Sequence, residues 1–156
     1  MASRSRMSKG ALHLEATVFC HATESLDKVR TALLNLFPSD LRHVVEEEIK
    51  VSMLQGFYGN VIYVLKLVVD EPELASTLLK AILEKLPHED LRRVEATLEQ
   101  RIDSSGNLHV RFDKQNAYLG RMRVYDGDDV IKVKVKLSRH VLNEVRSRGL
   151  DVLRQV

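Results

Sequence analysis

Alternating apolar and polar residues define the first element of the chain. Between residues 12 and 22, every second position is apolar or small, which places these residues on one face of a strand. The core face is predicted to hold Leu12, Leu14, Ala16, Val18, Cys20 and Ala22. Phe19 falls on the opposite face, and the only cysteine, Cys20, is expected to be a small buried hydrophobe.

Apolar residues at spacings of three and four predict helices in the intervening stretches. The predicted helices run from a Thr23 cap to Phe37, from Pro72 after a capping Asp70 to Pro87, from Pro87 to Ser104, and onward from a Ser138 cap. Gly149 lies inside the last helix and weakens it, because glycine is a poor helix former.

Four further strands are predicted from the same alternation. They run from about Glu48 to Leu54, from Val61 to Val69, from Leu108 to Phe112 and from Ile131 to Leu137. Residues 55–60 contain two glycines and an asparagine, so the first two of these strands form an antiparallel hairpin. The order β-α-β-β-α-α-β-β-α predicts an α+β fold, with an antiparallel or mixed sheet and helices on one face.

The length and the segment compositions predict one compact domain with two appendages. Residues 11–137 are expected to form a single α+β domain, residues 1–10 a flexible basic segment, and residues 138–156 a C-terminal helix or tail. No apolar run is long enough to cross a bilayer, and the first ten residues lack the apolar core of a signal peptide. We therefore expect a cytoplasmic protein with no membrane partner.

Charge is segregated along the chain. Residues 1–10 carry three basic and no acidic side chains, residues 11–106 carry ten basic and sixteen acidic ones, and residues 107–156 carry eleven basic and six acidic ones. A basic final third is what a phosphate-binding surface would require.

Three lysines in the last strand alternate with core residues. Lys132, Lys134 and Lys136 therefore share one face of the strand, where they could contact successive phosphates. Lysines on an edge strand also prevent edge-to-edge aggregation. Phosphate binding and protection of an edge strand therefore explain the pattern equally well.

The segment between the last two strands contains many hydrogen-bond donors and one aromatic ring. Arg111, Lys114, Arg121 and Arg123 are candidate phosphate ligands. The candidates for unpaired bases are Gln115, Tyr118 and Phe19. A helical turn at residues 117–120 would add amide groups for a phosphate. The alternatives are that Tyr118 fills the core and that Phe19 packs beneath a helix.

No constellation typical of catalysis or of metal binding is visible in the sequence. The motifs of phosphate-binding loops, dinucleotide sites, zinc proteases and serine hydrolases do not occur. His13 and His21 would lie about 26 Å apart along one strand, too far to share an ion. Glu46, Glu47 and Glu48 are interpreted as a solvated run on an extended segment. We therefore predict no enzyme activity, no cofactor and no metal.

Three stretches resemble a family of archaeal proteins described as predicted RNA-binding and exosome-associated. They are residues 14–24 (LEATVFCHATE), residues 56–60 (GFYGN), and residues 111–115 with 117–120 (RFDKQ and AYLG). The resemblance spans about residues 12–137. It implies a curved, mainly antiparallel sheet with helices packed against it, like the ribosomal protein that contacts five-S RNA. It also implies RNA binding and an association with RNA processing or decay.

Two functional hypotheses follow from these observations. The first is a noncatalytic module that binds single-stranded or structured RNA and is associated with RNA-processing proteins. The second is an assembly subunit whose basic part, residues 107–156, binds an acidic protein partner, without direct RNA binding. Stoichiometric capture of a protein without RNA would favour the second hypothesis.

Overall fold

The computed structural model describes residues 11–56 and 58–155, so the predicted basic segment at residues 1–10 lies outside the described residues. The described strands are β1 (Ala11–Cys20), β2 (Ile49–Gln55), β3 (Val61–Val69), β4 (Asn107–Asp113) and β5 (Val130–Leu137). They form one sheet in the order β2-β3-β1-β5-β4. The predicted α+β class with an antiparallel sheet and helices is confirmed.

The structure has more helices than the sequence predicted. Within the described residues the helices are α1 (Leu26–Leu34), α2 (Arg42–Glu48), α3 (Pro72–Lys85), α4 (His88–Ala96), α5 (Leu98–Arg101), α6 (Lys114–Tyr118), α7 (Arg139–Arg148) and α8 (Asp151–Gln155), with a 3-10 turn at Ser39–Leu41. No described helix is long and apolar enough to span a bilayer.

The described chain divides into two compact units. The first contains residues 11–14, 69–110 and 134–155, and the second contains residues 15–68 and 111–133. The prediction that residues 11–137 form a single domain stays a prediction. The two units are considered one at a time below.

The core faces of three strands were predicted correctly in most positions. Leu108, Val110 and Phe112 of β4 are buried, as are the four alternate apolar residues of β5 from Ile131 to Leu137. In β1 the predicted set is wrong at both ends, because Leu12 and Ala22 are exposed. Cys20 is buried as expected, and this burial, reinforced by the nearby charge of Glu24, raises the pKa of its thiol.

The predicted hairpin is present, with Ile49 opposite Leu67 and Gln55 opposite Val61 in antiparallel register. β2 is an edge strand whose side chains are mostly exposed, including Met53 at 66%. The prediction that residues 46–48 are extended is wrong, because they form the last turn of α2. Helical geometry still leaves all three carboxylates exposed.

The first unit is held together by the packing of helices and by side-chain contacts at their ends. α8 packs against both α3 and α7. Ser138 caps α7 as predicted, accepting a hydrogen bond from the Val141 amide. Gly149 ends this helix with a φ of +86°, and the next amide, that of Leu150, donates to Glu95.

Two predicted caps differ in the structure. Asp70 does not cap α3, and its Oδ1 instead lies 2.5 Å from Nδ1 of His13. In the second unit α1 is capped by Ser25, which accepts from the Lys28 amide, rather than by Thr23. Pro72 begins α3 as predicted, because its fixed φ suits the first helical position.

A buried lysine anchors the short helix α6 to the rest of the second unit. Lys114, the first residue of α6, is only 3% exposed. Its ammonium donates to the Phe19 carbonyl at 3.0 Å and lies 2.9 Å from Glu24 Oε1 and 2.6 Å from Asp129 Oδ1. Burial is the largest single effect and lowers the pKa of Lys114, but the hydrogen bonds to Asp129 and Glu24, together with the negative charges of these carboxylates, outweigh it, so the net pKa is raised.

Replacing Lys114 with methionine is expected to destabilise the protein by about 1 to 3 kcal/mol, because two carboxylates and a carbonyl would lose their shared donor. Chemical denaturation of Lys114→Met would measure this loss. Lys132→Met is the matched control, since Lys132 is exposed, and its effect should stay within about 0.5 kcal/mol. Equal effects of the two substitutions would contradict this role for Lys114.

A second prediction concerns the loop before β4 in the first unit. Asp103 accepts hydrogen bonds from the amides of Ser105 and Asn107, and its Oδ2 lies 2.8 Å from Nε2 of His109. The bond with His109, then those with Asn107 and Ser105, hold the pKa of Asp103 well below its usual range. Because the pKa of Asp103 is lower in the folded state than in the unfolded state, its carboxylate stabilises the fold. This contribution is complete above the unfolded pKa of about 4 and is lost as the pH falls from there through the folded-state pKa.

The free energy of unfolding of wild type and Asp103→Asn should therefore differ most at neutral pH, and the difference should shrink below about pH 4. Urea denaturation from pH 2 to pH 7 would measure it. Asp40→Asn, at an exposed position, should track the wild type throughout. A constant difference across the whole range would show that the Asp103 carboxylate is not the cause.

Candidate nucleic-acid interface

The chain reverses direction around α6 and returns alongside β4. Asp113 caps α6 by accepting from the Asn116 amide at 3.0 Å. Gly120 then turns the chain with a φ of +82°. On the return, the Asp113 amide donates to the Arg123 carbonyl at 2.9 Å, and the Tyr125 amide donates to the Arg111 carbonyl at 3.0 Å.

The returning segment, residues 121–125, alternates between buried and exposed side chains. Met122 and Val124 are buried, whereas Arg121, Arg123 and Tyr125 are exposed. This alternation is visible in the sequence RMRVY as a period of two, although no strand was predicted at these residues. Tyr125, which is 49% exposed, was missed as a candidate for this reason.

One cavity in the second unit contains both exposed arginines. We call it the arginine cavity; it has a volume of about 410 Å³ and is lined by Asp113, Asn116, Arg121, Arg123, Val124 and Tyr125. Two arginines and a tyrosine that line one cavity form a site suited to a phosphate and its nucleotide. The Asp113 carboxylate in the lining is occupied by hydrogen bonds from Asn116.

The turn at residues 126–129 supports this cavity. Gly127 lies directly against the ring of Tyr125, so that a Cβ at this position would overlap the ring. Arg111 is half-buried and donates to the Gly127 carbonyl at 3.2 Å. Arg111 therefore holds the turn in place.

A second cavity lies on the other side of α6, between this helix and α1. We call it the tyrosine pocket; it has a volume of about 370 Å³ and is lined by Thr23, Glu24, Ser25, Lys28, Val29, Ala32, Lys114, Gln115 and Tyr118. Tyr118 is 38% exposed, and the Lys28 ammonium lies 5.8 Å from its ring centroid. Lys28 was missed because the sequence shows it only as one exposed residue of α1.

Both ends of α6 are fixed to other parts of the second unit. Lys114 anchors its first residue, as described above. At the other end, the Asn35 side chain donates to the carbonyls of Ala117 and Tyr118 at 2.9 and 3.3 Å. The helix therefore presents Gln115 and Tyr118 to one cavity and Asn116 to the other from a fixed position.

Two sequence predictions in this region need correction. Lys114 was expected to contact phosphate, but its ammonium is buried and already engaged by two carboxylates. The helical turn expected at residues 117–120 is instead the helix at residues 114–118. Its first amides face the Asp113 carboxylate, which occupies the place where a phosphate would bind.

The remaining candidates are distributed over both units. Phe19 is 37% exposed in the second unit, on the side of β1 opposite its core face. Lys132 is exposed in the second unit, whereas Lys134 and Lys136 belong to the first unit and are half-buried. The Lys136 ammonium donates to the Ser105 carbonyl.

The structure brings together three possible metal ligands that the sequence did not reveal. One ligand atom each from His21, Glu24 and Asp129 lies within 4.8 Å of the others among the described residues. The Lys114 ammonium contacts both carboxylates, so a positive charge already occupies this position. The cluster is therefore explained as the setting of an internal ion pair.

Comparison with known proteins identifies the family of the chain. A family model described as RNA binding matches residues 13–137 of the chain. RNA-binding protein PAB1135 from Pyrococcus abyssi is 34% identical over 127 residues, which cover 81% of this chain and 82% of the relative.

Solved structures of two archaeal proteins show the same fold. Protein AF2318 from Archaeoglobus fulgidus, of the DUF54 family, superposes with a TM-score of 0.75 at 31% identity, covering 91% of this chain and 99% of that one. Protein SSO0741 from Sulfolobus solfataricus, also of that family, gives 0.75 at 27% identity, covering 92% and 98%. The chain belongs to the family of proteins that the matching model describes as RNA binding.

Proposed function

We propose that this protein binds RNA without catalysing its conversion, and that the two sides of α6 form the contact surface. The observation that carries the proposal is the arginine cavity, in which Arg121 and Arg123 stand beside the ring of Tyr125. Guanidinium groups match phosphate oxygens in geometry and charge, and a neighbouring tyrosine offers a stacking surface. The matching family model and the name of the Pyrococcus relative support RNA as the ligand.

Eight of the ten sequence candidates, all except Lys134 and Lys136, fall into three roles within this proposal. Arg121, Arg123 and Lys132 contact phosphates directly, since all three are exposed. Gln115, Tyr118 and Phe19 contact unpaired bases. Positioning roles belong to Arg111, which holds the 126–129 turn, and to Lys114, which anchors α6.

The resemblance noted in the sequence extends the proposal to a place in RNA processing or degradation, in association with the exosome. Its support is the set of three motifs at residues 14–24, 56–60 and 111–120. The same resemblance supports a likeness to the ribosomal protein that contacts five-S RNA.

Affinity purification of the tagged protein, with and without ribonuclease, tests the association with RNA processing. RNA-processing proteins should be retained. A protein partner retained with no affinity for RNA would favour the assembly-subunit hypothesis instead.

Neutralising both arginines should weaken RNA binding and reduce its dependence on salt. A plot of log affinity against log salt has a negative slope, and each lost phosphate contact makes it less steep by about 0.7 for single-stranded RNA. The double variant Arg121→Gln with Arg123→Gln should therefore make it less steep by about 1.4. Fluorescence anisotropy with a labelled RNA dodecamer at four salt concentrations would measure the slope, with a DNA dodecamer of equivalent sequence for comparison.

The matched control removes the same charge elsewhere. Arg92 and Arg139 are exposed and line neither cavity, so Arg92→Gln with Arg139→Gln should leave the slope close to that of the wild type. A control variant that weakens binding as much as the cavity variant would mean that the net charge, rather than the arginine cavity, is responsible.

Two lysines of β5, Lys132 and Lys136, should differ in their contribution to binding. Lys132→Gln should lower the slope by about 0.7, because its ammonium is exposed. Lys136→Gln should have a smaller effect, because that ammonium already donates to the Ser105 carbonyl. Equal effects of the two substitutions would contradict this difference and favour the original interpretation, in which each lysine on this face of β5 contacts one phosphate.

A further inference from the structure

The tyrosine pocket has a composition different from that of the arginine cavity. Its apolar surface comes from Val29 and Ala32, which are buried on α1, and its aromatic surface comes from Tyr118. Its volume of about 370 Å³ lies within the range of small-ligand sites. Apolar and aromatic surfaces together suit a flat ring, which can lie against both.

The polar groups of the pocket are mostly neutral. The Gln115 amide offers both a donor and an acceptor, and Thr23 and Ser25 add hydroxyl groups. These groups match the edge of a nucleobase, which also carries donors and acceptors without a full charge. They do not match a phosphate, which is recognised chiefly by cations.

The charges within the lining also disfavour a phosphate. Lys114 is the buried cation of the pocket, but Glu24 and Asp129 neutralise it. The Glu24 carboxylate itself lines the pocket and would repel a phosphate. Lys28 is an exposed cation in the lining of this pocket, and its ammonium lies 5.8 Å from the Tyr118 ring centroid.

We infer that the tyrosine pocket receives the base of one unpaired nucleotide, with the ring stacked on Tyr118, the base edge at Gln115 and the adjoining phosphate at Lys28. This inference rests on the proposed function and specifies the form of RNA recognised. A base within a duplex is stacked between its neighbours and has its pairing edge covered, so it cannot enter such a pocket. The protein therefore prefers RNA that contains an unpaired residue.

The test compares two probes with identical phosphates. One is a dodecamer of uridines, and the other is a dodecamer of abasic ribose phosphates. Wild type should bind the uridine probe at least about fivefold more tightly, the lower limit expected when one base stacks on an aromatic side chain. Tyr118→Leu should lower this ratio by about fivefold or more, which is the share of one stacked base, while leaving the affinity for the abasic probe unchanged, and Tyr118→Phe should retain it. Any preference for uridine that remains comes from bases at Tyr125 and Phe19.

Tyr58→Leu is the matched control, because Tyr58 is an exposed tyrosine of the same unit that does not line the pocket. It should keep the wild-type ratio. Lys28→Met provides a second variant should Tyr118→Leu fail to fold. It should keep a preference for uridine but lower the salt slope for both probes by about 0.7.

Each outcome has a distinct meaning. Equal binding of the two probes by wild type would overturn the base pocket and leave phosphate-driven RNA binding intact. An unchanged ratio in Tyr118→Leu, or an unchanged salt slope in Lys28→Met, would likewise overturn the assignment of the base and its phosphate to this pocket. Failure of wild type to bind either probe, or any structured RNA at low salt, would overturn the proposed function and this inference with it.

Discussion

The candidate interface depends on the burial of one ammonium group. Lys114 brings three acceptors together: the Phe19 carbonyl at the end of β1, Glu24 in the following loop, and Asp129 just before β5. A buried charge is tolerated only when it is paired and hydrogen-bonded, so these segments are required to meet at this point. A five-residue helix is too short to be stable on its own, and α6 exists because its first residue is fixed in this way.

The anchoring of α6 separates two kinds of recognition. Side chains on one side of the helix meet two arginines, and those on the other side meet apolar residues of α1. Phosphate contacts provide affinity and register, while base contacts provide discrimination. Because α6 is hydrogen-bonded at both ends, it holds the two proposed sites at one separation, and the contacts proposed for RNA need no reorganisation of the helix.

The sequence predicted what depends on local periodicity and missed what depends on contacts between distant residues. The core faces of β4 and β5, the β2–β3 hairpin and the Ser138 cap follow from patterns of a few residues. The role of Lys114 could not be predicted, because its partners are 90 and 15 residues away. The RMRVY alternation, by contrast, is a local pattern that could have been predicted, but a period of two over only five residues is too short to stand out between longer strands.

The distribution of charge also explains why net charge is a poor guide to the binding surface. The basic final third of the sequence contains Lys114, which is neutralised internally, and Lys136, which donates to a carbonyl. Lys28, in contrast, comes from the segment with an acidic balance and yet lines the tyrosine pocket. What matters for a polyanion is which cations remain exposed after folding, because only those can release counterions when they meet a phosphate.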